Sequence, residues 1–278
     1  MTTIGLFDSG MGGLSVLRAV RQLLPQANLL YFGDNAHVPY GPRSLSQVRQ
    51  FSESITRFLL ARQAQVIVVA CNAASAAALK YLRQTFPAIP FVGMEPAVKP
   101  AAEQTQTKVV GVLATPATFQ GELFASVVER FAQGVTVLRE VCPGLVQTIE
   151  AGEVDTPETE ARLRAWVEPM LQQRIDVLVL GCTHYPFIIP LLEKISGPQV
   201  RVIDPAPAVA RQVGRVLEAR GLTPAAGERG SLVYYTSGDP QAFDRVRQRL
   251  GIESGEVRAV QWLENEIEEV RPAKPDSF

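Results

Sequence analysis

Cysteine, histidine and lysine are all scarce in this chain, whose 278 residues include three cysteines, two histidines and five lysines. Cys71, Cys142 and Cys182 are too few and too widely spaced for a disulfide scaffold, so reduced thiols are expected. No CxxC or HxxxH pair occurs, which leaves a zinc site drawing on Cys71, Cys182 and His184 without its usual compact anchor. None of Lys80, Lys99, Lys108, Lys194 and Lys274 lies in a phosphate-binding loop of the kind a pyridoxal phosphate Schiff base requires. Charge of one sign is missing too. With 27 Lys and Arg against 28 Asp and Glu, the formal net charge of −1 exerts no global pull on nucleic acid or an anionic membrane, and neither is expected as a partner. Apolar runs such as 66–70 fall far short of the ~20 residues that span a bilayer. Ile4 opens an apolar segment with no basic stretch and no small-residue cleavage site ahead of it, so no export signal is expected and a cytoplasmic location is.

What the chain does have is a 46% share of hydrophobic residues, ample for buried cores. Strand-like runs recur at 4–7, 29–32, 66–70, 90–92, 109–113, 135–138, 177–180, 200–203 and 232–235. Helix-like stretches at 14–24, 44–62, 74–86, 119–132, 158–173, 205–220 and 240–250 alternate with them. Continuous apolar strands between amphipathic helices predict mainly parallel sheets covered on both faces. Two echoes point to a duplicated unit: GLFDSG at 5–10 returns as GVLATP at 111–116, and VIVVACNAAS at 66–75 returns as VLVLGCTHYP at 177–186. The expected fold is therefore α/β, with two similar three-layer lobes of mainly parallel sheet and an active-site cleft between them. Residues 1–95 with 210–278 are expected to form the first lobe and 96–209 the second, with crossings near Glu95–Pro100 and Asp204–Pro207. The only low-complexity segment is a polar tail at 271–278.

The echoes place Cys71 and Cys182 at equivalent strand ends, where open α/β sheets put their ligands. Matched thiols suit a reaction that moves a proton from one face of a carbon to the other. Cys71 precedes a helix, whose dipole and free N–H groups favour thiolate, and Asn72 and Ser75 add neutral hydrogen-bonding groups. Cys182 has an imidazole two residues away in His184, and the two can exchange a proton. Covalent acyl transfer is an alternative use of thiol and histidine, but it leaves Cys71 unexplained. The loop Asp8-Ser9-Gly10-Met11-Gly12-Gly13 is not a dinucleotide fingerprint, although its glycines permit close approach of a ligand; Asp8 could cap a helix or relay a proton to a nearby thiol. Pro39-Tyr40-Gly41 is a rigid bend suited to closing a pocket, while His37 reads as loop surface.

The segments FDSGMGGLSVLR, YFGDNAHVPYG, ACNAASAAAL, GVLATPATF, GCTHYPF and YYTSGD, in this order along nearly the whole chain, resemble the cofactor-independent glutamate racemases of bacterial cell-wall synthesis. The resemblance implies interconversion of L-glutamate and D-glutamate for peptidoglycan, without metal or other cofactor, by a homodimer. It implies that Cys71 takes the α-proton from D-glutamate while Cys182 protonates the opposite face, with the roles reversed for L-glutamate. It implies that Asp8 assists Cys71, that His184 assists Cys182, and that Glu150, by itself an ordinary charge near a helix end, also assists. It implies a substrate pocket made by Asp8, Ser9, Pro39, Tyr40, Gly41, Asn72, Ala73, Thr115, Thr118, Thr183 and His184. Where the family commonly carries Cys-Asn-Thr this chain has Cys71-Asn72-Ala73, so Ser75, a water or the Ala73 N–H is expected to replace a hydroxyl. Many relatives also carry arginine at the position of His37. Two rival readings are a racemase of another small acidic amino acid, which Ala73 favours and GCTHYPF disfavours, and a non-catalytic gyrase-binding role, which the retained thiols, Asp8, Glu150 and His184 disfavour.

Overall fold

The computed structural model describes residues 2–120 and 122–270; the polar tail at 271–278 lies outside them. In chain order the elements are β1 (Thr3–Asp8), α1 (Leu14–Leu23), β2 (Asn28–Gly33), α2 (Leu45–Ala61), β3 (Val66–Val69), α3 (Asn72–Thr85), β4 (Phe91–Gly93) and α4 (Val98–Gln104). They continue as β5 (Val109–Ala114), α5 (Pro116–Gln120), α6 (Glu122–Phe131), β6 (Thr136–Val141), α7 (Leu145–Glu150), α8 (Pro157–Gln172) and β7 (Val177–Gly181). A 3-10 turn (Tyr185–Ile188) leads into α9 (Ile189–Ser196), then β8 (Arg201–Ile203), α10 (Ala206–Ala219), β9 (Leu232–Thr236), α11 (Pro240–Arg249), β10 (Glu256–Leu263) and β11 (Glu266–Glu269).

The strands form two sheets, one in the order β11-β10-β9-β2-β1-β3-β4 and the other β6-β5-β7-β8. All described pairings are parallel except β10 with β11. Stripped of its last strands, the larger sheet runs β2-β1-β3-β4, and the smaller runs β6-β5-β7-β8. The two orders are the same pattern one unit later in the chain, so the sequence echoes are echoes of topology.

Strand alternation sorts the core. Leu6 and Val68 join one apolar cluster with α1 and α10, whereas Phe7, Ile67 and Val69 face the opposite cluster under α2 and α3. In the smaller sheet, Leu178 and Leu180 face α8 residues Leu163 and Val167, while Val177 and Val179 face Phe124 and Val127 of α6. The first cluster runs without a break from one lobe into the other. Local chemistry starts the helices: Ser44 and Gln47 form a reciprocal capping box on α2, and Thr156 caps α8 ahead of Pro157.

Five elements and the 3-10 turn go beyond the sequence expectation, and the single helix expected at 119–132 is replaced by α5 and α6. The segments α4, α7 and α9 have only 7, 6 and 8 residues, too short for a helical period to declare itself. The hairpin β10–β11 is half exposed and rich in charge, so it lacks the continuous apolar run of its neighbours. Among the described residues no helix is long and apolar enough to cross a membrane.

Candidate active site

The carboxyl ends of β1, β2, β3, β5 and β7 deliver their loops to one narrow cavity. Ser9 follows β1; Pro39, Tyr40 and Gly41 follow β2; Cys71, Asn72 and Ala73 follow β3. Thr115 and Thr118 follow β5, and Cys182, Thr183 and His184 follow β7. Both thiols are thus brought to one space, where Cys71 is 5% and Cys182 7% exposed. Asp8 is fully buried behind this lining rather than part of it. Val146 of α7 completes the wall; nothing in its sequence context marks it. Among the described residues no arginine or lysine lines the cavity, so an anionic ligand there would be held by N–H and hydroxyl groups.

The two thiols are served differently. Cys71 is the N-cap of α3, and its Sγ accepts the Ala74 N–H at 3.5 Å. Asp8, at the end of the neighbouring strand, lies beside it, while its carboxylate accepts the Ser9 N–H at 2.5 Å, the Thr183 hydroxyl at 3.2 Å and the Gly13 N–H. Burial, then the Asp8 charge, push the Cys71 thiol well above the ordinary cysteine value. Burial likewise raises Asp8, against the opposing pull of His184 and of the hydrogen bond with Cys71.

Cys182 has an imidazole instead. His184 Nδ1 lies 3.7 Å from Cys182 Sγ, and its Nε2–H donates to Glu150 Oε1 at 2.6 Å. A carboxylate can only accept, so the Glu150 bond fixes which ring nitrogen faces the thiol. Burial works against the charged imidazole, but the bonds and charges of Cys182 and Glu150 outweigh it and hold His184 well above the usual histidine value. Glu150 is not the ordinary exposed helix-end charge its sequence context suggests. Its side chain, 14% exposed, also accepts the Met11 N–H at 2.5 Å and the Asn35 amide at 3.2 Å. Space for these contacts is left by glycine: a Cβ at Gly12 would collide with the His184 ring, and one at Gly10 with the Glu150 carboxylate.

Two neighbouring groups depart from expectation. Ser75 does not replace the missing hydroxyl at Ala73, because its Oγ donates to the Val69 carbonyl at 3.1 Å and accepts the Met94 N–H at 2.9 Å, away from the cavity. His37 is not loop surface. It stacks on Phe51 with ring centroids 4.0 Å apart, and its Nδ1 lies 2.9 Å from the buried Asp34 carboxylate. Asp34 also accepts the Tyr40 hydroxyl at 2.7 Å, the Ser237 hydroxyl at 2.7 Å and the Trp262 indole at 2.9 Å, and so fastens the Tyr40 wall to the C-terminal hairpin. Asn72 Nδ2 is buried beside the cavity with no partner among the described residues.

Comparison with known proteins agrees over most of the chain. The family described as Asp/Glu/Hydantoin racemase matches residues 14–213. A glutamate racemase of Roseiflexus sp. (strain RS-1) is 52% identical over 250 residues, covering 90% of this chain and 92% of that one. A glutamate racemase of Stutzerimonas stutzeri (strain A1501) is 47% identical over 270 residues, 97% of each. Among solved structures, a glutamate racemase isoform from Bacillus anthracis superposes with a TM-score of 0.83 at 30% identity, covering 94% of this chain and 97% of that one.

Proposed function

The chain belongs to the Asp/Glu/Hydantoin racemase family, and we propose that its cavity interconverts L-glutamate and D-glutamate by proton transfer between two thiols, without a cofactor. The observation that carries this reading is that two buried cysteines, from equivalent strand ends of two lobes, line one cavity. The D-glutamate formed supplies peptidoglycan.

Removing the α-proton of an amino acid requires a base already in contact and donors that stabilise charge developing on the carboxylate. A Cys71 thiolate takes that proton from D-glutamate and becomes a thiol. The Cys182 thiol gives its proton to the opposite face and becomes a thiolate, and the reverse sequence acts on L-glutamate. Each turnover moves one proton in and one out, and leaves the two sulfurs with exchanged protonation states. Burial favours the neutral thiol at Cys71, and the ammonium of an arriving amino acid is the charge that favours thiolate there. Asp8 serves Cys71, and His184, held by Glu150, serves Cys182. The Asn72 amide, the Thr115 hydroxyl and backbone N–H groups bind the two carboxylates, while Ser9, Thr118 and Thr183, whose hydroxyls donate to Asp8, to the Gly181 carbonyl and to Asp8 respectively, shape the wall with Pro39, Tyr40, Gly41 and Ala73. The same proposal places residues 1–95 with 210–278 in one lobe and 96–209 in the other, and describes a homodimer acting in the cytoplasm; sedimentation of the purified chain tests its oligomeric state.

The deciding experiment is polarimetry of each glutamate enantiomer with metal-free protein in deuterated water. Loss of optical rotation from either side, with deuterium at the product α-carbon, is expected. Failure to racemise glutamate, or a requirement for an added cofactor, would overturn the reading.

A further inference from the structure

His184 can serve only one thiol, and what holds it is a single carboxylate. That carboxylate has a second oxygen. Glu150 Oε1 is taken by His184 Nε2–H at 2.6 Å and the Met11 N–H at 2.5 Å, whereas Oε2 receives Asn35 Nδ2–H at 3.2 Å. Asn35 is itself held: its Oδ1 accepts the Thr236 hydroxyl at 2.9 Å, and Thr236 Oγ1 accepts the Gly238 N–H at 3.1 Å. Because the Gly238 N–H occupies an oxygen lone pair, the Thr236 hydroxyl hydrogen is available to Asn35 Oδ1, which turns the amide nitrogen toward Glu150. The opposite amide orientation would set oxygen against carboxylate. Thr236 is completely buried, and Asn35 is wedged where added Cβ atoms at Gly33 and Gly238 would meet it at 3.0 and 2.9 Å. An unbroken chain of contacts therefore runs from Thr236 through Asn35, Glu150 and His184 to Cys182, joining the end of β9 to a thiol at the end of β7.

We infer that Asn35 and Thr236 are positioning residues for one thiol alone: they fix the Glu150 carboxylate so that His184 presents Nδ1 to Cys182, and neither makes a hydrogen bond to Asp8 or Cys71. This rests on the two-thiol reading above. Asp8, beside Cys71, draws its donors from Ser9, Gly13 and Thr183, and neither Asn35 nor Thr236 is among them.

The test is steady-state racemisation of both enantiomers by the full chain and its Asn35→Ala, Thr236→Val and Thr236→Ser variants, with α-deuterated L- and D-glutamate run beside the protiated substrates. Because enantiomers are equal in free energy, kcat/KM must fall equally in the two directions. A fault on one side is therefore read from isotope effects. Asn35→Ala and Thr236→Val should lower kcat roughly tenfold with little change in KM, since a bond to a charged group that holds a reacting partner is lost. The primary isotope effect should rise with L-glutamate, whose proton goes to Cys182, and shrink with D-glutamate, whose proton goes to Cys71. Thr236→Ser keeps the hydroxyl and should behave as wild type. Unchanged rates, isotope effects that move equally for both enantiomers, or a Thr236→Ser variant as impaired as Thr236→Val would each overturn the inference. If Asn35→Ala fails to fold, the Thr236 pair decides. Wild-type protein that does not racemise glutamate would instead sink the two-thiol reading, so the two failures are distinct.

Discussion

The two halves of the site share a strand pattern and solve the same problem with different residues. Aligned by the echoes, Asp8 at the end of β1 corresponds to Ala114 at the end of β5, and Ala73, two residues after Cys71, corresponds to His184, two residues after Cys182. Where one half has a carboxylate at the strand end, the other has alanine; where the second has an imidazole in the loop, the first has alanine. The local backbone follows. Cys71 directly caps the 14-residue α3, whereas Cys182 is followed by a 3-10 turn, so that α9 starts only at Ile189. The comparison teaches that the shared strand pattern fixes where a thiol stands, while the titratable group beside it comes from a different strand end, loop or helix.

Removing either sulfur should produce the largest effect and erase the comparison altogether. Cys71→Ser and Cys182→Ser should each lower kcat by about 10³-fold in both directions, because a hydroxyl exchanges protons poorly at neutral pH. Circular dichroism should show the fold retained, and near-normal turnover in either variant would refute the two-thiol mechanism.

Removing the helpers should sharpen it. Asp8→Asn and His184→Asn should each cost roughly 10²-fold in kcat. Their isotope effects should shift in opposite senses, Asp8→Asn raising the effect with D-glutamate and His184→Asn the effect with L-glutamate. Gly12→Ala, whose added methyl occupies the space of the His184 ring, should reproduce the His184→Asn pattern without touching a titrating group.

Stability against pH separates the halves again. Both helpers bind protons more tightly in the fold, so each contribution to stability is fullest below the group's ordinary value and drains away as pH rises through the higher folded value. For Asp8 the decline begins above the ordinary carboxyl value of 3.8. For His184 it begins above 6.5. Melting temperatures should show wild type losing ground to Asp8→Asn in the acid window and to His184→Asn only in the later one. Coincident windows would mean that the two groups titrate as one. The smallest effect is expected from Ala73→Thr, which adds a hydroxyl at the wall and should change KM by only about threefold with kcat nearly intact.

Much of this was legible in the chain. Strands β1 to β9 announce themselves as apolar runs, the thiols by their repeated strand-end context, and the pocket loops by segments that resemble those of glutamate racemases. The cavity lining gathers those loops, with Val146 added from a helix too short to be recognised. What stayed hidden depends on long-range pairing. Glu150 and Asn35 are 115 residues apart, and Trp262 reaches Asp34 across 228. No local period encodes either contact. His37 reads as surface because its stacking partners Phe51 and Trp262 arrive from α2 and the unexpected β10. Ser75 reads as a ligand group because nothing nearby in sequence shows that Met94 and Val69 already claim its hydroxyl.

The Glu150 carboxylate has a mechanical meaning as well. Its helix lies between strands of the smaller sheet, yet two of its donors, Met11 and Asn35, stand on loops of the larger one. Both sulfurs are nearly sealed from solvent, and these two bonds tie together the loops that seal them. The carboxylate bonded to His184 is therefore anchored on the far wall. One carboxylate thus acts both as a latch across the cleft and as the seat of the imidazole beside Cys182.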